Sequence, residues 1–301
     1  MAIEVAKFRL VSGVSALAIG NRESYPFALP VYGLLMNRLR ICIAGATGWV
    51  GKPLCKAVAA AEDMTLVGAV SRTHQGHNLR EVLADSGSDL VISGSVAEAL
   101  KAPTDVLVDY TKADVVKSNV LTAVGAGIHV VVGASGLTEE DFAEINHAAQ
   151  QHNVGVLAAG NFALTAVLLQ RFACEAAKYL SHWEIIDFAS DTKQDAPSGT
   201  TRELAHKLAE VRKPEVTHAI EKTIGARESR GATLEGTQVH SLRLPSYVIS
   251  VEAIFGAKDE RLTIRHDAGT GAEPYIQGTL LAIRNVRNHV GLVRGLDSIM
   301  H

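Results

Sequence analysis

Three glycines, Gly45, Gly48 and Gly51, constrain this chain more than any other feature. They fall in Gly45-Ala46-Thr47-Gly48-Trp49-Val50-Gly51, directly after the apolar run Arg40-Ile41-Cys42-Ile43-Ala44 and ahead of an amphipathic stretch. A strand that turns through such a loop into a helix brings free backbone N–H groups and the positive end of the helix dipole to one place. The glycines permit a tight turn, close approach of the backbone to a pyrophosphate, and close packing of helix on strand. GxxGxxG is a spacing variant of the dinucleotide fingerprint, and alone it also fits an ordinary glycine-rich turn. The sequence of strand, turn, helix and second strand selects the dinucleotide reading, with Gly45, Thr47, Gly48, Trp49, Val50 and Gly51 as the cradle.

The pattern that follows agrees. Strands are predicted at residues 40–44, 65–70, 90–93, 106–109, 129–132 and 155–158, with helices at 50–60, 96–100, 113–126 and 139–152. Such alternation implies βαβ crossovers and a parallel sheet covered on both faces. After Asn161 the grammar changes. A long helix over 163–179 leads to an alternating strand at 183–190, a helix at 200–211, and strands at 238–244, 247–255 and 260–267 joined by polar loops. That half reads as an α+β unit with a mostly antiparallel sheet. A last helix, 275–288, is expected to return to the first unit. The expected organisation is an N-terminal extension at 1–36, a Rossmann-type dinucleotide domain at 37–161 closed by a C-terminal helical segment at 275–301, and a substrate-binding and oligomerisation domain at 162–274.

Composition narrows the partners. The formal charge is −3 with no basic block, which argues against nucleic acid. No apolar run reaches the ~18 residues needed to span a bilayer. Cys42, Cys55 and Cys174 are widely spaced and lack a CxxC pattern, so they read as small buried hydrophobes in a reducing cytosol, with no metal site. The first 35 residues make a poor secretory signal and a weak transit peptide, and a second methionine, Met36, stands just before the first strand.

Cofactor choice is read about 20 residues after the glycine loop, where an acidic side chain would hold the ribose of NAD. Here Ser71-Arg72-Thr73 follows the strand, with no carboxylate. Arg72 suits the 2′-phosphate of NADP and Ser71 can add a hydrogen bond, so NADPH is the preferred cofactor, with NADH possible. Tyr110 and Thr111 after the strand at 106–109, and Gly133, Ala134, Ser135 and Gly136 after that at 129–132, line the same crevice, with Asn161 and Phe162 at the change of domain.

The segment Lys193-Gln194-Asp195-Ala196-Pro197-Ser198-Gly199-Thr200 precedes an amphipathic helix. Ser198 is placed to cap it, and the Gly199 and Thr200 N–H groups, with the Lys193 ammonium nearby, form a carboxylate pocket. A capped helix after a polar turn is the plainer reading, and composition does not separate the two.

K-x-D-A-P-S-G-T, with GxxGxxG, the loop Gly133-Ala134-Ser135-Gly136, and Asn161-Phe162, resembles the 4-hydroxy-tetrahydrodipicolinate (dihydrodipicolinate) reductase family over about residues 40–297. The resemblance implies a homotetramer joined through its second domain. It implies hydride transfer from NAD(P)H to a small cyclic dicarboxylate imine with loss of water, in the lysine and diaminopimelate pathway. By motif, Lys193, Ser198, Gly199 and Thr200 would hold substrate carboxylate, Gly45, Gly48 and Gly51 the pyrophosphate, Arg72 the adenosine ribose, and Gly133 to Gly136 the nicotinamide side.

One departure stands out. The family pattern before the lysine is E-x-H-H-x-x-K, and this chain has Asp187-Phe188-Ala189-Ser190-Asp191-Thr192-Lys193. Ser190 can hydrogen-bond substrate but cannot replace an imidazole as an acid near pH 7. The family's serine-arginine segment near the end is replaced by Ala268-Gly269-Thr270-Gly271. Three explanations remain: Lys193 serves alone as the acid, Asp191 or Asp195 works through water, or the protein reduces a different imine or carbonyl and keeps only the frame. Asp195 is better read as ordering its turn, and His240 and His266 as packed strand residues. Two other functions stay open, a related reductase of another carboxylated imine or ketone, and a non-catalytic dinucleotide-binding subunit.

Overall fold

The computed structural model describes residues 38–84 and 88–300; the expected extension at 1–36 lies outside them. From Asn37 onward the chain forms one compact unit built on two sheets.

The first sheet is six-stranded, in the order β11-β5-β4-β3-β1-β2, and every pairing is parallel. Its elements are β1 (Leu39–Ala44), α1 (Gly51–Ala60), β2 (Met64–Val70), short helices α2 (Leu79–Val82) and α3 (Val96–Ala99), β3 (Val106–Asp109), α4 (Val116–Gly125), β4 (His129–Val132), α5 (Glu139–Gln151) and β5 (Gly155–Ala158). Strands β3 and β5 are buried along their whole length, as the central strands of a sheet covered on both faces must be. Cys42 and Cys55 belong to the two layers of this core. Burial pushes both thiols up to about 12, so they pack as hydrophobes.

The expected strand at 90–93 does not form. Val91 and Ser93 make single bridges to different partners, Asn78 and Val70, so the segment spans a gap and extends no ladder.

The second sheet is five-stranded, β10-β9-β6-β8-β7, with α6 (Leu164–Ala177), β6 (His182–Ala189), α7 (Gly199–Val211), β7 (Ala232–Leu234), β8 (Thr237–Arg243), β9 (Ile249–Ala257) and β10 (Glu260–Ala268). Three pairings are antiparallel, and β6 with β8 is parallel because α7 and the long loop after it carry the chain back before β8 starts. Trp183, Ile185, Val251, Ala253 and Phe255 alternate onto one face and pack on Leu169 and Ala173 of α6 and Leu204 and Leu208 of α7.

The terminal segment differs from expectation. Helix α8 (Glu273–Asn285) gives way to a 3-10 turn and then to β11 (Gly291–Arg294), which pairs with β5 at the edge of the first sheet. Gly278 of α8 lets this helix touch the other half of the chain, since a Cβ there would lie 2.0 Å from the Phe162 carbonyl oxygen.

Candidate active site

In a parallel sheet, ligands bind beyond the carboxyl ends of the strands, where the strand order reverses. That point lies between β1 and β3, flanked by the glycine loop and by Tyr110-Thr111. Gly45 has φ +81°, and a Cβ on it would meet the Tyr110 carbonyl oxygen at 2.5 Å. A Cβ on Gly51 would lie 2.0 Å from the Gly45 carbonyl oxygen. Both positions therefore require glycine. Helix α1 follows Val50, which gives it no side-chain cap, and has no acid in its first turn, so no side chain of its own neutralises its positive end. The Thr47 and Ser71 hydroxyls lie 2.8 Å apart and tie this loop to the end of β2.

Asp109 shapes the neighbouring loop. It is fully buried and accepts from the Thr111 N–H at 2.8 Å, the Thr111 hydroxyl and Asn119 at 2.8 Å. Burial pushes its carboxyl above the usual carboxylate range. Tyr110 packs against Gly133, where a Cβ would clash with its ring, and edge-on against Phe162 at 5.9 Å. Phe162 is 1% exposed and belongs to the core, and its carbonyl faces Gly278 of α8, so neither its ring nor its backbone is open to a ligand. Asn161 accepts from the Ala163 N–H at 2.8 Å and shapes the entry to α6. Arg72 is exposed and meets Asp114 at 3.5 Å. Trp49 is 60% exposed, edge-on to Tyr275 at 5.6 Å.

Ala134, Ser135 and Gly136 line a cavity of about 570 Å³ that reaches Gly160 and the α7 residues Glu203, His206 and Lys207. The same helix starts at the Lys193–Thr200 segment. Ser198 caps α7, its hydroxyl accepting from the Thr201 N–H at 3.4 Å. The Gly199 and Thr200 N–H groups, in the first turn, have no carbonyl within the helix to meet. Lys193 pairs with Asp195 at 2.6 Å, which holds that carboxyl below its ordinary value. Ala189 is buried at the end of β6, and the Ser190 hydroxyl lies 2.9 Å from that of Thr192. The cavity lining does not include Lys193 or Ser198–Thr200, which precede Glu203 along the chain at and before the start of α7.

The two histidines are packed, not poised. His240 meets Glu184 at 2.7 Å on the second sheet. His266 is 5% exposed and 2.9 Å from the Thr165 hydroxyl, with burial lowering its pKa. Two polar residues at the root of the Ser198 turn were not anticipated, Asp187 and Arg243, which are 2.8 Å apart. The alternation of Trp183, Ile185, Asp187 and Ala189 carried a signal for the first, a carboxylate on an otherwise apolar strand face.

Sequence profiles of the N-terminal and C-terminal parts of dihydrodipicolinate reductase match residues 39–162 and 165–300. The chain belongs to the dihydrodipicolinate reductase family. It is 39% identical over 267 residues to the 4-hydroxy-tetrahydrodipicolinate reductase of Desulfitobacterium hafniense, covering 88% of this chain and 100% of that protein. The enzyme of Synechococcus elongatus is 38% identical over 277 residues, with 88% and 100% covered. Among solved structures, a dipicolinate-bound dihydrodipicolinate reductase from Paenisporosarcina sp. TG-14 superposes with a TM-score of 0.77 at 28% identity, covering 87% of this chain and 99% of that one. The family's two-part sheet architecture is the fold described above. Among the described residues no helix is long and apolar enough to cross a membrane.

Proposed function

We propose that this protein reduces 4-hydroxy-tetrahydrodipicolinate to tetrahydrodipicolinate, the 4-hydroxyl leaving as water, in the lysine and diaminopimelate pathway. The reading rests on identity of 39% across the full length of a reductase with that activity. Family members use NAD(P)H, and NADPH is the preferred reductant here because Arg72 replaces the acidic residue that would hold the ribose of NAD.

When bound, the nicotinamide supplies a hydride. The chain's own residues position and neutralise. The N–H groups opening α1 hold the pyrophosphate, and Arg72 and Ser71 hold the 2′-phosphate. Tyr110, Thr111, Gly133–Gly136 and Asn161 would form the wall beside the nicotinamide half, with Phe162 packed behind Tyr110 as its support. The first-turn N–H groups of α7 receive one substrate carboxylate, while the Lys193 ammonium leaves Asp195 for the incoming anion and donates the proton that balances the hydride. Ser190 contributes a hydrogen bond at the same end. The first sheet is thus the dinucleotide domain and the second the substrate domain. Copies assemble into a tetramer through the second sheet's face away from α6 and α7, in the reducing cytosol that suits the buried thiols of Cys42 and Cys55 and the half-buried one of Cys174.

Ala189 and Ser190 favour one alternative, reduction of a different carboxylated imine, since neither supplies an imidazole. Enzymatically generated 4-hydroxy-tetrahydrodipicolinate separates the two. Consumption of NADPH that falls about 100-fold in Lys193→Ala supports the proposal. No consumption at high enzyme, with turnover of another imine, would transfer the function to the alternative.

A further inference from the structure

Asp187 and Arg243 have no part in the functions assigned above, yet they are the most heavily bonded charges at the site. Asp187 is fully buried. Its Oδ2 accepts from the Ser198 N–H at 3.0 Å, the Ser241 hydroxyl at 3.2 Å and Arg243 Nη2 at 2.8 Å, and its Oδ1 accepts from the Thr201 hydroxyl at 2.9 Å. Arg243 Nη2 also donates to the Asp195 carbonyl at 2.7 Å. One ion pair, bridging β6 and β8, therefore clamps both ends of the loop from Asp195 to Ser198.

A charge is kept in a core when its removal from water is offset by several good hydrogen bonds. Here the bonds run to one short segment, immediately before the N–H groups of Gly199 and Thr200. The Arg243 Nε is buried and lacks a partner among the described residues. That unmet donor is tolerable where the guanidinium is retained for what its terminal nitrogens hold.

We propose that Asp187 and Arg243 are positioning residues of the carboxylate pocket. They fix the orientation of the α7 first turn and, through Asp195, the place from which Lys193 acts. Neither touches the substrate. This inference rests on the pocket assignment made above, and its test separates the two.

The full-length protein is titrated with dipicolinate at saturating NADPH, as wild type, Lys193→Ala, Asp187→Asn, Arg243→Met and Arg243→Lys, with substrate kinetics in parallel. Arg243→Met and Asp187→Asn are expected to weaken dipicolinate about tenfold or more and to raise KM more than they lower kcat, with NADPH affinity unchanged. Arg243→Lys restores part of the loss, because an ammonium reaches one of the two acceptors but not both. Should Arg243→Met not fold, Arg243→Lys carries the test, with weakened dipicolinate and intact NADPH affinity in support. Wild-type dipicolinate affinity in the Arg243 variants, with loss in Lys193→Ala, overturns the positioning role and spares the pocket. Equal losses for dipicolinate and NADPH overturn it as a general structural defect. Wild-type affinity in Lys193→Ala removes the pocket and the positioning role together.

Discussion

Tyr110 and Thr279 share a 2.7 Å hydrogen bond although 169 residues separate them. The Thr279 hydroxyl proton is committed to the Tyr275 carbonyl, also at 2.7 Å, so Tyr110 is the donor. The bond joins the loop after β3 to α8, and hence the first sheet to the returning C-terminal segment. Tyr110→Phe is expected to cost about 1 kcal/mol, since Thr279 keeps its own acceptor and only the phenol's bond is lost. Calorimetry should show Tm lower by roughly 2–4 °C. An unchanged Tm would mean that α8 is held without this bond.

Among the described residues Arg72 meets only Asp114, at 3.5 Å with both side chains more than half exposed, a contact too weak to hold it back from a phosphate. Arg72→Ala should raise the KM for NADPH by about 10-fold or more and leave that for NADH within about twofold, the loss of one charge-assisted contact. Equal rises for both cofactors would remove Arg72 from the 2′-phosphate.

The two tryptophans report separately. Trp183 is 5% exposed and donates to the Thr237 hydroxyl at 3.0 Å, while Trp49 is 60% exposed beside the glycine loop. Titration with NADPH should quench Trp49 emission, and Trp49→Phe should remove most of that change. A quench that survives the substitution would place the cofactor away from this loop.

Asp187 has a pH signature. Burial alone would raise its pKa, but the bonds from Ser198, Arg243 and Thr201 prevail, and the folded carboxyl lies below its ordinary 3.8. A depressed carboxyl contributes stability that is complete above the unfolded value and is lost as pH falls through the folded one. Asp187→Asn should therefore lower stability by roughly 3 kcal/mol near neutrality, leaving the buried Arg243 without its counter-charge. In thermal melts the gap to wild type should stay level down to about pH 4.5 and narrow only below the ordinary carboxylate value. A gap that closes already near pH 6 would contradict the depressed value.

The glycine loop was legible residue by residue because its demands are local: a Cβ at Gly51 collides with a carbonyl only six residues back. The cap at Ser198 was legible for the same reason, lying within one helical turn of the N–H it accepts. Strand β11 was not, since Gly-Leu-Val-Arg is too short for any period and becomes a strand only because β5 offers it an edge. Phe162, read as part of the cofactor wall, turns its ring inward and meets Tyr110 edge-on at 5.9 Å, a contact between residues 52 apart that no local pattern shows.

By itself, then, the sequence determined the parallel sheet, the glycine turn after β1 and the capped start of α7, and through 39% identity the family. Each is specified by neighbours within a few turns or by a motif whose spacing is its geometry. Only the tertiary structure decided what holds that start in place. Asp187 and Arg243 are 56 residues apart, and they meet because β6 and β8 pair in parallel with Asp187 opposite Ser241 and Ala189 opposite Arg243. A one-residue slip of that register would send the guanidinium to the other face of the sheet. Burial of a charge depends on such long-range register, and no local pattern in the chain encodes it.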